Sequence, residues 1–357
     1  MRECRILGMM SGSSLDGVDL ALCQFRLSDG PDLQIDSWDF ESLASYSYSE
    51  SWQQILMHAA QKSLSQLLQT DGLLGQLYGD MANTFLQDIK GPIDAVALHG
   101  HTVIHQPESG CSLQLGAGAS LAQISQRPAI TQFRDADILA GGQGAPLAPL
   151  ADQLLFPGYS AYLNIGGISN CYLPKSQEAF DTGGANQLLN NLAQQLGRPY
   201  DDGGQIAASG KVLPDLLLLL EKLPYFQQKP PKSLSNQWVQ EAVWPLIHQF
   251  QGSIPDKLHT TSQHIAWHIA ESLKQESEPI LVSGGGARNH FLIQLIRERL
   301  GDVLFLPSSD IIDFKEAALV ALLGLHRLLN IPAPLKDLTG ARSNAVPGAL
   351  YLPTSKC

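Results

Sequence analysis

The chain has 357 residues, 44% of them hydrophobic and 16% charged, enough to bury a full core in two domains or one large one. Its 23 basic residues against 34 acidic ones leave a net charge of −11. Without a basic run to meet phosphate backbones or anionic lipid, the composition argues against nucleic acid or a membrane surface as partner.

Residues 5–9 form a short apolar run, residues 11–14 a turn rich in Ser and Gly, and Val18, Leu20 and Leu22 then alternate. That is the pattern of a β-hairpin. Trp52, Ile55, Leu56, Ala59 and Ala60 fall at helical spacing, and a second helix is predicted over 73–86. Residues 93–98 read as a buried parallel strand and 129–133 as another, leading into a Gly/Pro-rich passage at 140–149 that is the candidate domain boundary. The pattern then restarts with a strand at 162–165, a Gly166-Gly167 turn and a returning strand at 169–173. Asp181-Thr182-Gly183-Gly184 leads into an amphipathic helix carrying Leu188, Leu189, Leu192 and Leu196 and stopped by Gly197. Residues 227–235, with Pro230-Pro231, read as an exposed loop. A strand over 279–282 runs into Gly284-Gly285-Gly286, followed by a helix through Phe291, Leu295 and Leu300, a strand at 303–306 and a long helix over 314–330. Strands alternating with helices predict an α/β protein with mostly parallel central sheets. Two heads of the form strand, glycine turn, strand point to an internal duplication.

Cys4, Cys23, Cys111, Cys171 and Cys357 are odd in number, widely spaced and without a C-x-x-C pair. They fit neither a disulfide framework nor a structural zinc site, and a reducing cytoplasm is expected. The first residues lack the apolar core of a signal peptide, and the most apolar stretches, 216–220 and 317–329, are too short or too interrupted to span a bilayer.

Three glycine turns each follow a predicted strand: Gly12-Ser13-Ser14, Gly166-Gly167 and Gly284-Gly285-Gly286. Any one of them could be a plain tight turn. Three in α/β order favour nucleotide binding, because glycine lets backbone amides approach a phosphate. Neither a Walker A loop around Gly210-Lys211 nor a dinucleotide fingerprint around Gly116-x-Gly118 is complete. Asp16 and Asp19 beside the first turn suit either a hydrated Mg²⁺ or an Asx-turn and a solvated strand residue. Asp181, between a strand end and a helix start, reads either as an N-cap or as a general base, with Gly183-Gly184 favouring the close approach of a ligand. His99, His101 and His105 form H-x-H-x-x-x-H, with His99 and His101 facing one side of a strand as a metal pair or as polar pocket lining. Glu316, three residues after Asp313, fits a capping box.

Taken together these residues resemble the anhydro-N-acetylmuramic acid kinase family. The resemblance rests on residues 8–19 (GMMSGSSLDGVD), His99-Gly100-His101-Thr102, Phe133-Arg134, residues 141–146 (GGQGAP), residues 164–170 (NIGGISN), Phe180-Asp181-Thr182-Gly183, residues 283–289 (SGGGARN), Lys315-Glu316-Ala317 and Thr339-Gly340-Ala341. It covers nearly the whole chain. It implies two duplicated α/β domains of the actin/Hsp70/sugar-kinase type with an ATP cleft between them, residues 1–133 plus 335–357 forming one and 134–334 the other. It further implies an ATP- and Mg²⁺-dependent kinase, a homodimer, that opens the 1,6-anhydro ring of the amino sugar with water and phosphorylates O6 in peptidoglycan recycling. Carried over, Gly12, Ser13, Ser14, Leu15, Asp16, Gly17, Val18 and Asp19 bind the triphosphate and its metal, the latter through Asp16 and Asp19. Gly166, Gly167, Gly284, Gly285, Gly286 and Asn289 complete the nucleotide site. Asp181 activates water, Glu316 positions the water or the sugar, and His99, His101, Thr102 and Arg134 line the sugar pocket. His101 stands where the family has Gln, Gln132 where it has an acid, and Gly184-Ala185 where it has Pro-Gly. A kinase for a different sugar and an ATP-switched binding module of the same fold are the competing readings.

Overall fold

The computed structural model describes residues 2–12, 15–28, 30 and 33–354. Ser13 and Ser14 of the predicted first phosphate turn, and Cys357, lie outside the described residues. The chain forms two compact units, Met1–Phe156 with Phe314–Cys357, and Pro157–Asp313.

In the first unit the predicted hairpin is β1 (Arg2–Ser11) against β2 (Gly17–Leu27), antiparallel, with Met10 opposite Asp19 and Ser11 opposite Val18. β2 pairs in turn with β3 (Ile35–Ser47), a strand of alternating Ser, Asp, Glu and aromatic residues that has no fully buried position. On the other side of β1 lie β4 (Ala95–His99) and then β7 (Ala129–Thr131), both parallel, and finally β13 (Ala349–Tyr351), antiparallel. A separate ribbon is made by β5 (His101–Gln106) and β6 (Cys111–Leu115). The helices between these strands are α1 (Glu50–Met57), α2 (Leu64–Leu86), α3 (Gly118–Ser125), α4 (Asp135–Leu139) and α5 (Ala148–Leu155). α2 starts well before the predicted 73, because Ser63 and Gln66 close a capping box that satisfies the first orphan amides.

The second unit has β8 (Ala161–Ile165), β9 (Ile168–Leu173), β10 (Glu178–Gly184), β11 (Ile280–Ser283) and β12 (Leu304–Phe305) in the order β10-β9-β8-β11-β12. The first three are antiparallel and the last two parallel to β8 and to each other. β8, β9, β10, β11 and β12 thus repeat the topology of β1, β2, β3, β4 and β7, and the duplication holds. The expectation of mostly parallel sheets does not hold. A tight glycine turn can only send the chain back antiparallel, so each sheet is mixed. Its helices are α6 (Asn186–Gln194), α7 (Gln205–Ser209), α8 (Pro214–Glu221), α9 (Asn236–Trp238), α10 (Trp244–Gln249), α11 (Ile254–Leu273) and α12 (His290–Leu300). Leu163, Ile165, Leu188, Leu192, Ile265, Ile269, Val282, Leu292 and Ile296 are all buried in one cluster there, each contributing about 1.5–3 kcal/mol by leaving water.

Two helices follow, α13 (Ser309–Leu329), which belongs to the first unit from Phe314 on, and α14 (Lys336–Thr339). The chain passes between units at 156/157 and 313/314, whereas the sequence placed the changes at 133/134 and 334/335. The reason is packing that spacing does not reveal. A Cβ on Gly8 of β1 would lie 2.0 Å from the Ala317 carbonyl oxygen, and one on Gly324 would lie 2.7 Å from Ala97 Cβ, so α13 is pressed against the first sheet. Buried Lys315 on α13 pairs with buried Asp152 on α5, and the Trp38 indole donates to the Leu155 carbonyl at 2.8 Å. Among the described residues no helix is long and apolar enough to cross a membrane.

Candidate active site

The first turn connects β1 and β2. Leu15 takes φ of 62°, a left-handed backbone uncommon for a branched side chain. The Asp16 carbonyl accepts the Tyr48 amide at 3.0 Å while its side chain is exposed, and Asp19 Oδ1 accepts from Ser45 Oγ at 2.5 Å. A buried hydroxyl chain, Ser11–Tyr48–Tyr78, with contacts of 2.8 and 2.6 Å, supports the turn from below. Gly17 and Val18 have reasons of their own: a Cβ on Gly17 would lie 2.2 Å from the Tyr46 carbonyl oxygen, and Val18 is core.

Arg134 is the hub of the next group. Its Nε and Nη2 donate to His99 Nε2 at 3.2 and 3.0 Å, and Nη1 donates to the Gly144 carbonyl at 2.7 Å. A guanidinium only donates, so His99 must be the neutral tautomer with its proton on Nδ1. Burial, reinforced by the Arg134 charge, takes the His99 pKa down to about 3. Burial also lowers Arg134, against the attraction of Glu316. Gly144 is in turn held by Asp137, whose Oδ2 accepts the Gly144 amide and whose Oδ1 accepts from Thr339 Oγ1, both at 2.7 Å. A Cβ on Gly142 would fall 2.3 Å from Asp137 Oδ2. Residues 141–146 and Thr339 are therefore a buckle that fixes Arg134, and Asp137 is its pin. Sequence reading passed over Asp137 because its partner lies 202 positions away.

His99 and His101 do not share one strand. The chain leaves the main sheet at Gly100, where a Cβ would lie 2.0 Å from the Leu115 carbonyl oxygen, and His101 opens the ribbon opposite Leu115. Burial lowers the His101 pKa, and Thr102 is exposed. His105 Nδ1 meets Ser112 Oγ at 3.0 Å, and none of the three histidines belongs to a ligand cluster among the described residues.

Glu316 does not close a capping box with Asp313. α13 begins at Ser309, so Glu316 lies in its interior, and the Asp313 carboxylate is held by Arg288 through two contacts of 2.6 Å. Desolvation raises the Glu316 pKa, Lys315 and Arg134 oppose that, and Asp19 adds to it. The side chain stays open to water, so the desolvation reflects the mass of protein around the carboxyl rather than sealing of its surface. Asp19, His99, Arg134 and Glu316 thus share one electrostatic neighbourhood in the first unit.

The His99 shift has a measurable sign. Its folded pKa is about 3 against an ordinary 6.5, so unfolding takes up a proton between those values. The stability this confers is complete above about pH 6.5 and is lost as pH falls toward 3. His99→Gln keeps an acceptor for Arg134 and should make the acid limb of the melting temperature shallower, by up to about one proton of uptake. Identical acid limbs in variant and wild type would show that His99 titrates normally.

In the second unit the Gly167 carbonyl accepts the Ala185 amide at 2.8 Å and the Gly166 carbonyl accepts the Asn186 amide at 3.0 Å, which ties the turn to the start of α6. Asp181 is not the cap of that helix. It lies inside β10 opposite Asn170, next to a register shift, and the cap position is Ala185, which offers no side-chain bond. Asp181 Oδ2 accepts the Leu234 amide at 2.7 Å and Ser233 Oγ at 3.2 Å. Its backbone amide donates to the Lys232 carbonyl at 3.0 Å, and Tyr225 Oη donates to its carbonyl at 2.7 Å. Burial raises the carboxyl pKa despite those two bonds to Oδ2. The predicted loop over 227–235 therefore folds back to hold Asp181, a contact without a local sequence signal.

The third turn divides by position. A Cβ on Gly284, whose φ is 79°, would lie 2.5 Å from Asn164 Oδ1, and one on Gly286 would lie 2.2 Å from Ile165 Cγ2. One on Gly285 meets nothing nearer than Asn186 Nδ2 at 3.7 Å. Asn289 caps α12, its Oδ1 accepting the Leu292 amide at 3.0 Å. At the departure Gly184-Ala185, Gly184 packs against Val239, which a Cβ would approach to 2.8 Å.

The sequence profile of the family described as "Anhydro-N-acetylmuramic acid kinase" matches residues 4–353. A protein of that name from Synechococcus elongatus is 33% identical over 98% of this chain and 100% of its own. Another from Shewanella sp. (strain W3-18-1) is 36% identical over 98% of this chain and 99% of its own. Among solved structures, a ligand-bound xylulose kinase from Lactobacillus acidophilus superposes with a TM-score of 0.44 at 11% identity, covering 98% of this chain and 94% of that one.

Proposed function

This chain belongs to the anhydro-N-acetylmuramic acid kinase family, and we propose that it opens 1,6-anhydro-N-acetylmuramic acid with water while transferring the γ-phosphoryl group of ATP to O6. The product is N-acetylmuramic acid 6-phosphate, and the setting is the recycling of cell-wall sugars. The observation that carries the reading is Asp181: a carboxyl with a raised pKa, held at Oδ2 by Leu234 and Ser233, as a general base requires.

In this mechanism Asp181 accepts a proton from water as the water oxygen bonds to C1. The C1–O6 bond breaks, and the departing O6 takes the γ-phosphoryl group as ADP leaves. The base stands as in an inverting glycosidase, and capture of O6 by phosphorus replaces the general acid. Residues 12–19, with Gly166 and Gly167, receive the phosphates, and Gly284, Gly285, Gly286 and Asn289 receive the adenosine. His99, His101, Thr102 and Arg134 face the sugar in this reading, with Arg134 set by its buckle. Glu316, still open to water and raised in pKa, positions the sugar or the attacking water.

Exposed Asp16 and half-buried Asp19 offer the hard carboxylate oxygens that suit Mg²⁺, which keeps most of its waters. Bound there, the ion would neutralise charge on the phosphates during transfer. A reducing cytoplasm suits the buried free thiols of Cys4, Cys23 and Cys171. A homodimer is part of the same proposal, and light scattering on the purified protein reads it directly.

The decisive experiment incubates the protein with ATP, Mg²⁺ and a panel of anhydro and free amino sugars, read by mass spectrometry. A product heavier than the anhydro sugar by one water plus one phosphoryl group is expected. Phosphorylation of a free sugar alone would reassign the substrate. The third turn allows a sharper check on the nucleotide. Gly285→Val should keep the wild-type melting temperature yet weaken ATP binding, whereas Gly286→Ala should lower the melting temperature, because only the second collides with Ile165. Unchanged ATP affinity in Gly285→Val would take that turn out of the site.

A further inference from the structure

Glu221 ends α8, and His264 and His268 lie four residues apart on one face of α11. His264 Nδ1 is 2.7 Å from Glu221 Oε1, and His268 Nε2 is 2.9 Å from Glu221 Oε2. Their ligand atoms all lie within 4.8 Å of one another, the one such group of three among the described residues. The Phe226 ring covers it, stacked on His268 at 4.1 Å and edge-on to His264 at 4.6 Å. Nothing in the proposed reaction uses these side chains.

We propose that Glu221, His264 and His268 form a binding site for a divalent transition metal of the zinc class.

Three observations lead there. The donor set is two imidazole nitrogens and one carboxylate oxygen, the set that zinc takes with a water in the fourth position. The spacing is close to what is needed. Tetrahedral ligands at zinc distances stand about 3.3 Å apart, so the carboxylate has to withdraw by about half an ångström from nitrogens that lie within 4.8 Å of each other. The charge also fits. Glu221 is an anion at the C-terminal end of a helix, where the helix dipole disfavours it and a cation relieves it. Arg299 lines a cavity beside Glu221, with Nη1 donating to the Leu295 carbonyl and Nη2 to Gln263 Oε1, each at 2.7 Å. That cavity, about 310 Å³, borders Glu221. On binding, the ion takes the place of the proton that each imidazole shares with the carboxylate, and each neutral ring keeps that proton by moving it to its other nitrogen. The consequence is a clamp between α8 and α11 beneath Phe226, whose neighbour Tyr225 holds the Asp181 backbone.

The full chain, stripped with a chelator, should be titrated with ZnCl₂ by calorimetry and its melting temperature followed with and without one equivalent. Saturable binding of one Zn²⁺ with a rise in melting temperature is expected. Glu221→Gln and His268→Asn should each weaken it by well over tenfold, since even partners that only orient a ligand are worth about 10–100-fold. X-ray absorption at the zinc edge of the wild type should show two imidazoles and one or two further oxygens, a readout that needs no folded variant. Absence of saturable binding, unchanged affinity in both variants, or an edge spectrum without two imidazoles would each overturn the site and leave a plain hydrogen-bonded staple.

Discussion

Asp181→Asn should melt close to wild type, still bind ATP, and lose sugar phosphorylation by roughly 10²–10⁴-fold or more. The structure makes this test sharper than the sequence did. As a helix cap, Asp181 would have tolerated Asn with little consequence, but it caps nothing and lies inside β10. Asn retains an acceptor for the Leu234 amide at the Oδ2 position and keeps both backbone bonds, so the 232–234 loop stays in place. What it loses is the basicity that burial confers on the carboxylate. In ¹⁸O-labelled water the wild type should carry label at C1 of the product and none in the phosphate, because water attacks carbon. Label in the phosphate, or near-normal turnover by the Asn variant, would remove Asp181 as base.

The second large effect concerns stability. The Lys315 and Asp152 side chains are 9% and 5% exposed and form a buried ion pair between α13 and α5. Lys315→Met leaves Asp152 without its cation and should cost about 3–5 kcal/mol. Replacing both, as Lys315→Met with Asp152→Leu, should recover most of that, because two apolar groups need no partner. Burial already holds the Asp152 pKa above its ordinary value against the pull of Lys315, and removing Lys315 raises it further. A carboxyl with a raised folded pKa is relieved by protonation. The deficit of the single variant should therefore shrink as pH falls from 8 toward 4. Thermal melting of the wild type and both variants across that range checks it. A single variant as stable as wild type at pH 8 would show that the pair is not the anchor of α13.

How much of this was legible beforehand depends on the distance over which each signal acts. The β1–β2 hairpin, the Gly166-Gly167 turn and the helix after Gly284-Gly285-Gly286 were readable because glycine and apolar period are local. β3 was not, because its alternating Ser, Asp and Glu look like a solvated loop until β2 supplies the hydrogen bonds. The capping readings of Asp181 and Glu316 failed for one reason. Each assumed a helix start a few residues from its true place, and helix ends are fixed by partners as much as by residue type. His99 and His101 looked like a strand pair because a one-residue break at Gly100 leaves no trace in the histidine spacing.

The sequence by itself determined the α/β class, the duplicated strand–turn–strand heads and the family. All of these rest on residue type and short-range order. Only the tertiary structure decided that α13 returns to the first unit, because that rests on Gly8 and Gly324 letting a helix lie against a sheet from the far end of the chain. It alone decided that Asp137 pins the buckle around Arg134 and that the 232–234 loop holds Asp181, since those bonds join residues 202 and 53 positions apart. It also gathered Glu221, His264 and His268, which two helices bring together across 43 and 47 positions. Hydrogen bonds and packing act over ångströms of space, and a linear chain encodes such proximity only through the fold that creates it.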